Sequence, residues 1–566
     1  MQKLPDQPIA YPDRVAGENV YDLDRNLQAL LARRAPDLAE RHGARLSDFG
    51  AWVGEALEAQ AAYSDRHAPP RLEAYGPEGE PRSRVILNSD YVTCHQEAYR
   101  RGAVGLAYGP EAAPHLLSFA MGYLLSQADI SIHCPVTMTG ALAHVLARHA
   151  PAALSASYLP ELTRMDGASA SGGTWATELH GGSDVGATTT EAVPDGEAWR
   201  LTGLKWFASN AGCGLALATA RPRGAPDGGA GLGCYLVPAT LPDGSENAIR
   251  VRRLKDKLGT RALPTGEIEL DGAWALEVAG PPAGLKVMLE ALGYSRIHNA
   301  VAGCAVQRRA LLESLCWAYR REAFGRRLTE FPMVRDSLLD LTAELEASCA
   351  LAFEAGLAFD AALADESRRP WLRLVTALAK ERTATQGVEA ARQSLELVGG
   401  NGYTEDWPSA RLYRDAMVLP VWEGPGNIQA LELLRVTIGK EPGDRLLLER
   451  IDAILESLPE ALGDAADGLA RARADSAAAL AFLRAAPGEA PRHARRLLDL
   501  LADTLSAALL LEEAAADLAE GDHRKAIVAR RYLARRLGPR AAISDAPDPA
   551  HAVFERIVGY AACGPG

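Results

Sequence analysis

The chain has 566 residues, with 60 lysines and arginines against 73 aspartates and glutamates and a formal net charge of −13. Hydrophobic content of 48% and charged content of 23% are those of an ordinary globular protein long enough for several domains. The acidic balance excludes a protein that coats nucleic acid or an anionic membrane with its whole surface. The eight cysteines include no C-x-x-C pair, which excludes the usual zinc spacing and gives no disulfide framework. There is no signal-like start and no apolar run of about 18 residues, so a cytoplasmic protein with no membrane span is expected.

In chain order, residues 1–165 read as helices with long loops. Segments 27–40, 49–64 and 113–126 have helical spacing, and Pro69-Pro70 and Gly76-Pro77 punctuate them. Near residue 171 glycine, serine and threonine become dense. Short runs at 199–204, 215–220, 234–238, 249–253 and 266–270, separated by turn residues, predict a β domain over 166–282. Amphipathic stretches at 285–323, 331–364, 369–398 and 427–438 predict a four-helix bundle over 283–440. Pro442-Gly443 marks a boundary, and 441–566 reads as an additional helical domain.

Neither G-x-G-x-x-G, nor G-x-x-x-x-G-K-[ST], nor H-E-x-x-H occurs. Five less generic segments remain. Thr177-Glu178-Leu179-His180-Gly181-Gly182-Ser183-Asp184-Val185 has paired glycines flanked by hydroxyls, which let backbone N–H groups approach an anionic ligand; it also reads as a plain loop. Lys205-Trp206-Phe207-Ala208-Ser209 could wall a flat cofactor or simply fill a core. Arg321-Glu322-Ala323-Phe324-Gly325 and Leu397-Val398-Gly399-Gly400-Asn401-Gly402-Tyr403 could both be helix ends. In Val421-Trp422-Glu423-Gly424-Pro425-Gly426-Asn427, the Glu423 carboxylate sits among apolar and glycine neighbours, where poor solvation raises a carboxyl toward the range of a useful base; it also reads as a turn glutamate facing solvent.

In this order and spacing the segments resemble the acyl-CoA dehydrogenase flavoprotein family, over roughly residues 85–440. Lys257-Leu258-Gly259-Thr260-Arg261 and Arg414-Asp415 add to the match. Pro135-Val136-Thr137-Met138-Thr139, Leu254–Gly259, Glu396 and the extra tail narrow the resemblance to the AidB-like, adaptive-response branch. The resemblance implies a multidomain α+β fold: an N-terminal α-helical domain, a middle β-barrel or sandwich domain, a C-terminal four-helix bundle and an extra helical domain. It also implies FAD as cofactor, an acyl-CoA substrate, a homotetramer built as a dimer of dimers, and electron-transfer flavoprotein as a candidate acceptor.

Carried over residue by residue, the resemblance places Thr177, Gly182 and Ser183 at the flavin ring and pyrophosphate, Phe207 and Ser209 against the isoalloxazine, and Trp422, Gly424 and Asn427 beside the flavin. Arg321, Phe324, Gly399 and Gly400 take positions that reach the adenosine half, partly across a subunit interface. Glu423 matches the catalytic base; the alternative base site of one subgroup is Ser295 here, which adds weight to Glu423. The implied chemistry is α,β-dehydrogenation, with Glu423 taking the α-proton and the β-hydride passing to flavin N5.

A second reading is a DNA-binding flavoprotein that protects DNA from alkylation, as the AidB-like branch implies. Its local support is the stretch 524–540, which carries Arg524, Lys525, Arg530, Arg531, Arg535, Arg536 and Arg540 with no acid. At helical spacing Arg524, Arg531 and Arg535 share one face. Arg435 matches a basic position of that branch. The plainer reading is a solvated helix face paired with acids elsewhere.

Overall fold

The computed structural model describes residues 4–539 and 548–564; Arg540 lies outside them. The first helices are α1 (Arg25–Arg34), α2 (Pro36–Trp52), α3 (Glu58–Arg66), α4 (Ser89–Arg100), α5 (His115–Ala128), α6 (Ile130–His149) and α7 (Ala152–Thr163). A hairpin, β1 (Arg71–Tyr75) and β2 (Pro81–Ile86), is set between α3 and α4. The expected helix 27–40 is two helices, because Pro36 has no N–H to continue α1 but suits the first turn of α2. Side chains of Asp24 and Asn88 cap α1 and α4.

Helix α6 was not foreseen, since Pro135 stands inside it. Proline leaves the carbonyl four residues earlier without its helical donor. That carbonyl belongs to Ser131, and the Tyr91 hydroxyl donates to it at 3.1 Å. By length and composition α6 and the later helix Pro332–Ala364 are each long and apolar enough to cross a membrane, although no unbroken apolar run in the sequence marks them. Their apolar windows are 94% and 72% buried within the protein, as in core helices. Polar residues such as His133 and Thr137 interrupt the run in α6 without making the helix polar on average.

The β region comprises β3 (Gly172–Trp175), β4 (Glu191–Asp195), β5 (Ala198–Ser209), β6 (Leu215–Pro222), β7 (Gly233–Pro238), β8 (Ile249–Leu254) and β9 (Thr265–Ala279). Pairings β6–β7, β7–β9, β9–β5, β5–β4 and β4–β6 close a ring, with β3 added on β6 and β8 on β9. Pairings of β6 with β3 and β4 are parallel and the others antiparallel. Leu201, Ala216, Ala218, Tyr235, Val237, Ile268 and Leu270 fill the interior, as alternation in half-buried strands requires.

The bundle helices are α8 (Gly284–Arg320), α9 (Pro332–Ala364), α10 (Arg369–Val398), α11 (Pro408–Ala416) and α12 (Gly426–Thr437), with a short hairpin β10 (Glu322–Ala323) and β11 (Arg326–Arg327) after α8. Gly303 lets α8 lie close on α10: a Cβ there would fall 2.6 Å from the Thr383 backbone. The remaining helices are α13 (Gly443–Ser457), α14 (Gly463–Ala485), α15 (Ala490–Ala519), α16 (Arg524–Arg536), α17 (Pro549–Ala552) and α18 (Phe554–Val558).

Two compact units result. One comprises Ala56–Pro114 and Ala128–His298, which includes the β region; the other comprises residues 1–55, His115–Gln127 and Asn299–Gly566. The N-terminal helices thus divide between the units, whereas sequence texture grouped them. In the second unit, Lys525 donates to Asn26 Oδ1 (3.2 Å) and Arg33 pairs with Glu513 and Asp517.

Candidate functional site

Within the β-containing unit, two sequence motifs meet through a buried ion pair. Lys205 Nζ donates to Glu178 Oε1 (2.8 Å) and to the Thr219 carbonyl (2.7 Å), and both side chains are almost fully buried. Glu178 also accepts from the backbone N–H and hydroxyl of Thr189 and of Thr190, at 2.6–3.1 Å. Burial would raise the Glu178 carboxyl, but Lys205 and the threonines hold it down at about 2. Burial pulls Lys205 below its usual range, against the attraction of Glu178. Sequence reasoning missed this pair, although both residues lie inside the quoted motifs.

The pair fixes the segment that carries the predicted contacts. Trp206 N–H donates to the Thr177 carbonyl (2.9 Å). An irregularity in the β5–β9 register between Lys205 and Ala208 interrupts the alternation of faces there. Trp206 and Phe207 both face Lys255, whose Nζ lies 3.4 Å and 4.9 Å from their ring centroids. Phe207 is 56% exposed, which is high for an aromatic on a barrel strand. Gly182 abuts Thr177: a Cβ would fall 2.4 Å from its hydroxyl oxygen. Ser209 shares a hydrogen bond with the Thr265 hydroxyl (3.2 Å), to which Lys257 Nζ donates (3.1 Å). Ser183 lies in the exposed turn beyond Gly182. Thr177, Gly182, Phe207 and Ser209 are therefore brought to one stretch of surface on this unit.

Within the other unit, Trp422, Glu423, Gly424 and Asn427 lie on the turn that opens α12. Val421 and Trp422 N–H groups donate to the Val418 carbonyl (2.9 and 3.1 Å), and Asn299 Nδ2 donates to the Leu419 carbonyl (3.1 Å). Gln429 Nε2 reaches back to the carbonyls of Glu423 (3.2 Å) and Gly424 (2.9 Å). Glu423 has φ +56°, a left-handed conformation that side-chain-bearing residues rarely adopt. Its Oε2 and the Trp422 indole Nε1 are shielded from solvent, and Nε1 has no acceptor among the described residues.

The other predicted contacts occupy two element ends of this unit. Phe324 (φ +52°) and Gly325 (φ +74°) form the tight turn of the β10–β11 hairpin. Arg321 enters that hairpin, and Phe324 is 96% exposed. Gly399, at φ +75°, ends α10, and Gly400 follows it on the surface.

The basic stretch is a helix, and each described cation on it is paired with an acid. Arg524 is buried, pairs with Glu346, donates to the Ile557 carbonyl and lies over the Tyr560 ring. Lys525 pairs with Glu346 and Glu513. Arg531 pairs with Asp336, Asp340 and Asp548, and Arg535 with Asp340 and Glu344. Asp336, Asp340 and Glu344 recur every four residues along α9, a stripe of acid that meets the stripe of base. Arg524 and Arg531 are thus committed to acids within the unit, whereas Arg535 keeps part of its side chain in solvent beside its acid partners. Arg435 is the most open of the four, 70% exposed with Glu432 3.6 Å away, and Arg535 is 42% exposed.

Comparison with known proteins fits this geometry. Models of the adaptive response protein AidB N-terminal domain, the acyl-CoA dehydrogenase middle domain and the acyl-CoA dehydrogenase C-terminal domain match residues 11–166, 173–273 and 283–437. The putative acyl-CoA dehydrogenase AidB of Escherichia coli is 34% identical over 416 residues, 70% of this chain and 75% of that one. Acyl-CoA dehydrogenase family member 11 of Caenorhabditis elegans is 32% identical over 441 residues, 75% of this chain and 71% of its own. The crystal structure of Caenorhabditis elegans ACDH-11 in complex with C11-CoA superposes with a TM-score of 0.86 at 28% identity, covering 96% of this chain and 94% of that one. With a β barrel whose exposed aromatic is braced by a buried Glu–Lys pair, and a glutamate held left-handed at the head of a bundle helix, the chain belongs to the acyl-CoA dehydrogenase family, in its AidB-like branch.

Proposed function

We propose that the protein is an FAD-dependent dehydrogenase that removes the α- and β-hydrogens of an acyl-CoA thioester, with Glu423 as base. The observation that carries this reading is the Glu423 turn. A strained φ of +56° persists only where the surroundings over-determine it, and here Gln429 holds the two carbonyls of the turn. A carboxylate on a fixed turn, shielded at one oxygen, suits proton abstraction from carbon next to a polarised carbonyl.

The residues fit FAD. Thr177, Gly182, Phe207 and Ser209 offer backbone approach, an open aromatic face and hydroxyls. The shielded Trp422 Nε1 is a donor that a polar ligand atom can satisfy. Thr177, Gly182, Ser183, Phe207 and Ser209 would hold the flavin and pyrophosphate, and Trp422, Gly424 and Asn427 would serve the flavin from the other unit's turn. Arg321, Phe324, Gly399 and Gly400 would serve the adenosine half. Bound there, FAD supplies the hydride acceptor. The 96% exposed Phe324 supports assembly as a homotetramer in which a neighbouring subunit covers it. A flavoprotein acceptor for the electrons completes the reading.

The test is anaerobic titration of the yellow protein with a panel of acyl-CoAs. At least one thioester is expected to bleach the flavin in the native protein. Glu423→Gln is expected to keep FAD and lose bleaching by about a thousandfold or more; undiminished bleaching in that variant removes the assignment. The DNA-protective reading keeps Arg435 and the partly exposed Arg535 as its open predicted contacts. Tight, salt-sensitive duplex binding by a protein that no thioester reduces would favour it over the dehydrogenase.

A further inference from the structure

The turn that carries Glu423 runs straight into α12, and α12 packs against α10 on one side and α15 on another. One wall of this helix therefore comes from the segment beyond residue 440. Two arginines of that segment hold the two ends of α12. At its C-terminal end, Arg484 of α14 donates to the Thr437 carbonyl (2.7 Å) and pairs with Asp444. At its N-terminal end, Arg495 of α15 donates to Glu381 Oε1 of α10 (2.5 Å), and the same carboxylate oxygen accepts from the Thr385 hydroxyl (3.2 Å).

Arg495 also lies directly against Gly426, the first residue of α12. A Cβ on Gly426 would fall 1.3 Å from Arg495 Nη1 and 2.6 Å from Glu381 Oε2. A cation is disfavoured at the positive end of a helix. The buried Glu381 carboxylate offsets this and keeps the guanidinium there. The result is a three-part wedge of Glu381, Arg495 and Gly426, three residues from Glu423.

We propose that Arg495 is a positioning residue: through Glu381 and Gly426 it sets the place of the Trp422–Gly426 turn, so that the C-terminal helical segment tunes the chemistry of the bundle. The coupling is a property of the chain itself; its effect on turnover rests on the dehydrogenase reading. A residue that only filled space would change stability, whereas this wedge fixes where the carboxylate of Glu423 stands. Small displacements of a reacting group carry large rate penalties.

The experiment uses full-length, FAD-loaded Arg495→Ala and Gly426→Ala, the second attacking the wedge from the side of the turn. Three measurements are made: amide hydrogen exchange over residues 420–428, visible circular dichroism of the flavin, and the anaerobic reduction rate with saturating C11-CoA. Exchange in the turn is expected to speed up by about tenfold, and the flavin dichroism to change. Reduction is expected to slow about ten- to a hundredfold while the half-saturating concentration stays within about twofold. Arg473→Ala, which removes a pair with Asp452 inside the C-terminal segment, is expected to leave all three unchanged. Unchanged exchange in both Arg495→Ala and Gly426→Ala overturns the proposal, whether or not the rate falls. If no acyl-CoA reduces the native protein, the dehydrogenase reading fails instead, and exchange and dichroism still decide the coupling.

Discussion

Glu178 and Lys205 show how much a single residue pair can carry. Each lies in a different motif, and the pair joins the Thr177 segment to the Phe207 strand. Removing one partner of a buried pair leaves an uncompensated charge, which costs about 3–5 kcal/mol. Lys205→Met is therefore expected to lower the urea midpoint substantially and to weaken FAD retention, read from the flavin released on gel filtration. Lys205→Met combined with Glu178→Gln should recover part of the loss, because no bare charge remains. The candidate site was legible at this scale where a residue type is itself a constraint, as with the paired glycines and the Trp422-Glu423-Gly424 turn. It was not legible where the constraint is a partner distant in sequence. Nothing in the local residues around Glu178 announces Lys205.

At the scale of elements, helix ends were the most legible feature. Helix α10 begins beside Pro370 and stops at Gly399, and α9 begins at Pro332, close to the limits expected from the sequence. Strands β3 and β4 were missed because one is glycine-rich and the other ends in Pro194-Asp195, both of which read as turn. Helix α16 was legible as a helix but not as a buried one. Its basic stripe is matched by acids on α9 that precede it by almost two hundred residues, and sequence spacing reports faces, not what covers them. Arg524→Ala is expected to destabilise the protein by up to about 3–5 kcal/mol, seen in thermal melts, since it takes from buried Glu346 one of its two cations and leaves only Lys525. Arg531→Ala and Arg535→Ala are expected to leave any low-salt duplex retention unchanged in a gel-shift assay, because these side chains are already paired.

Across the whole molecule, each compact unit holds its own acid-sensitive pair: Glu178 in one and Glu346 in the other, both held at about 2 against an ordinary glutamate value of 4.5. For Glu346, burial opposes ionisation, and Arg524 and Lys525 overcome it. A depressed carboxyl contributes stability that is fully present above the unfolded value and is lost as pH falls through the folded one. Both units are thus expected to weaken between pH 4.5 and about 2, each by about 3 kcal/mol from this source, measured as the urea midpoint against pH. The second unit also needs the segment beyond residue 440. Deleting 441–566 removes Arg495 from α12 and the partners of Asn26 and Arg33, so that truncation is expected to yield insoluble protein rather than a smaller dehydrogenase.

The strands of backbone near residues 5–9 and 559–562 clasp each other: Ile9 N–H donates to the Gly559 carbonyl (2.8 Å) and Ala562 N–H to the Pro5 carbonyl (3.1 Å). During synthesis this clasp imposes an order. The β-containing unit has all its residues once position 298 has left the ribosome, so its barrel can close early. Helix α5 meets Phe353, Phe359 and Asp360 of α9 once residue 364 is made, whereas α1 waits for Lys525 and the carbonyls of residues 559 and 560, a delay of some tens of seconds at about 5–20 residues per second. Throughout that interval the apolar face of α1 is a client surface for chaperones, and slower translation lengthens the exposure of one unit while leaving the other untouched.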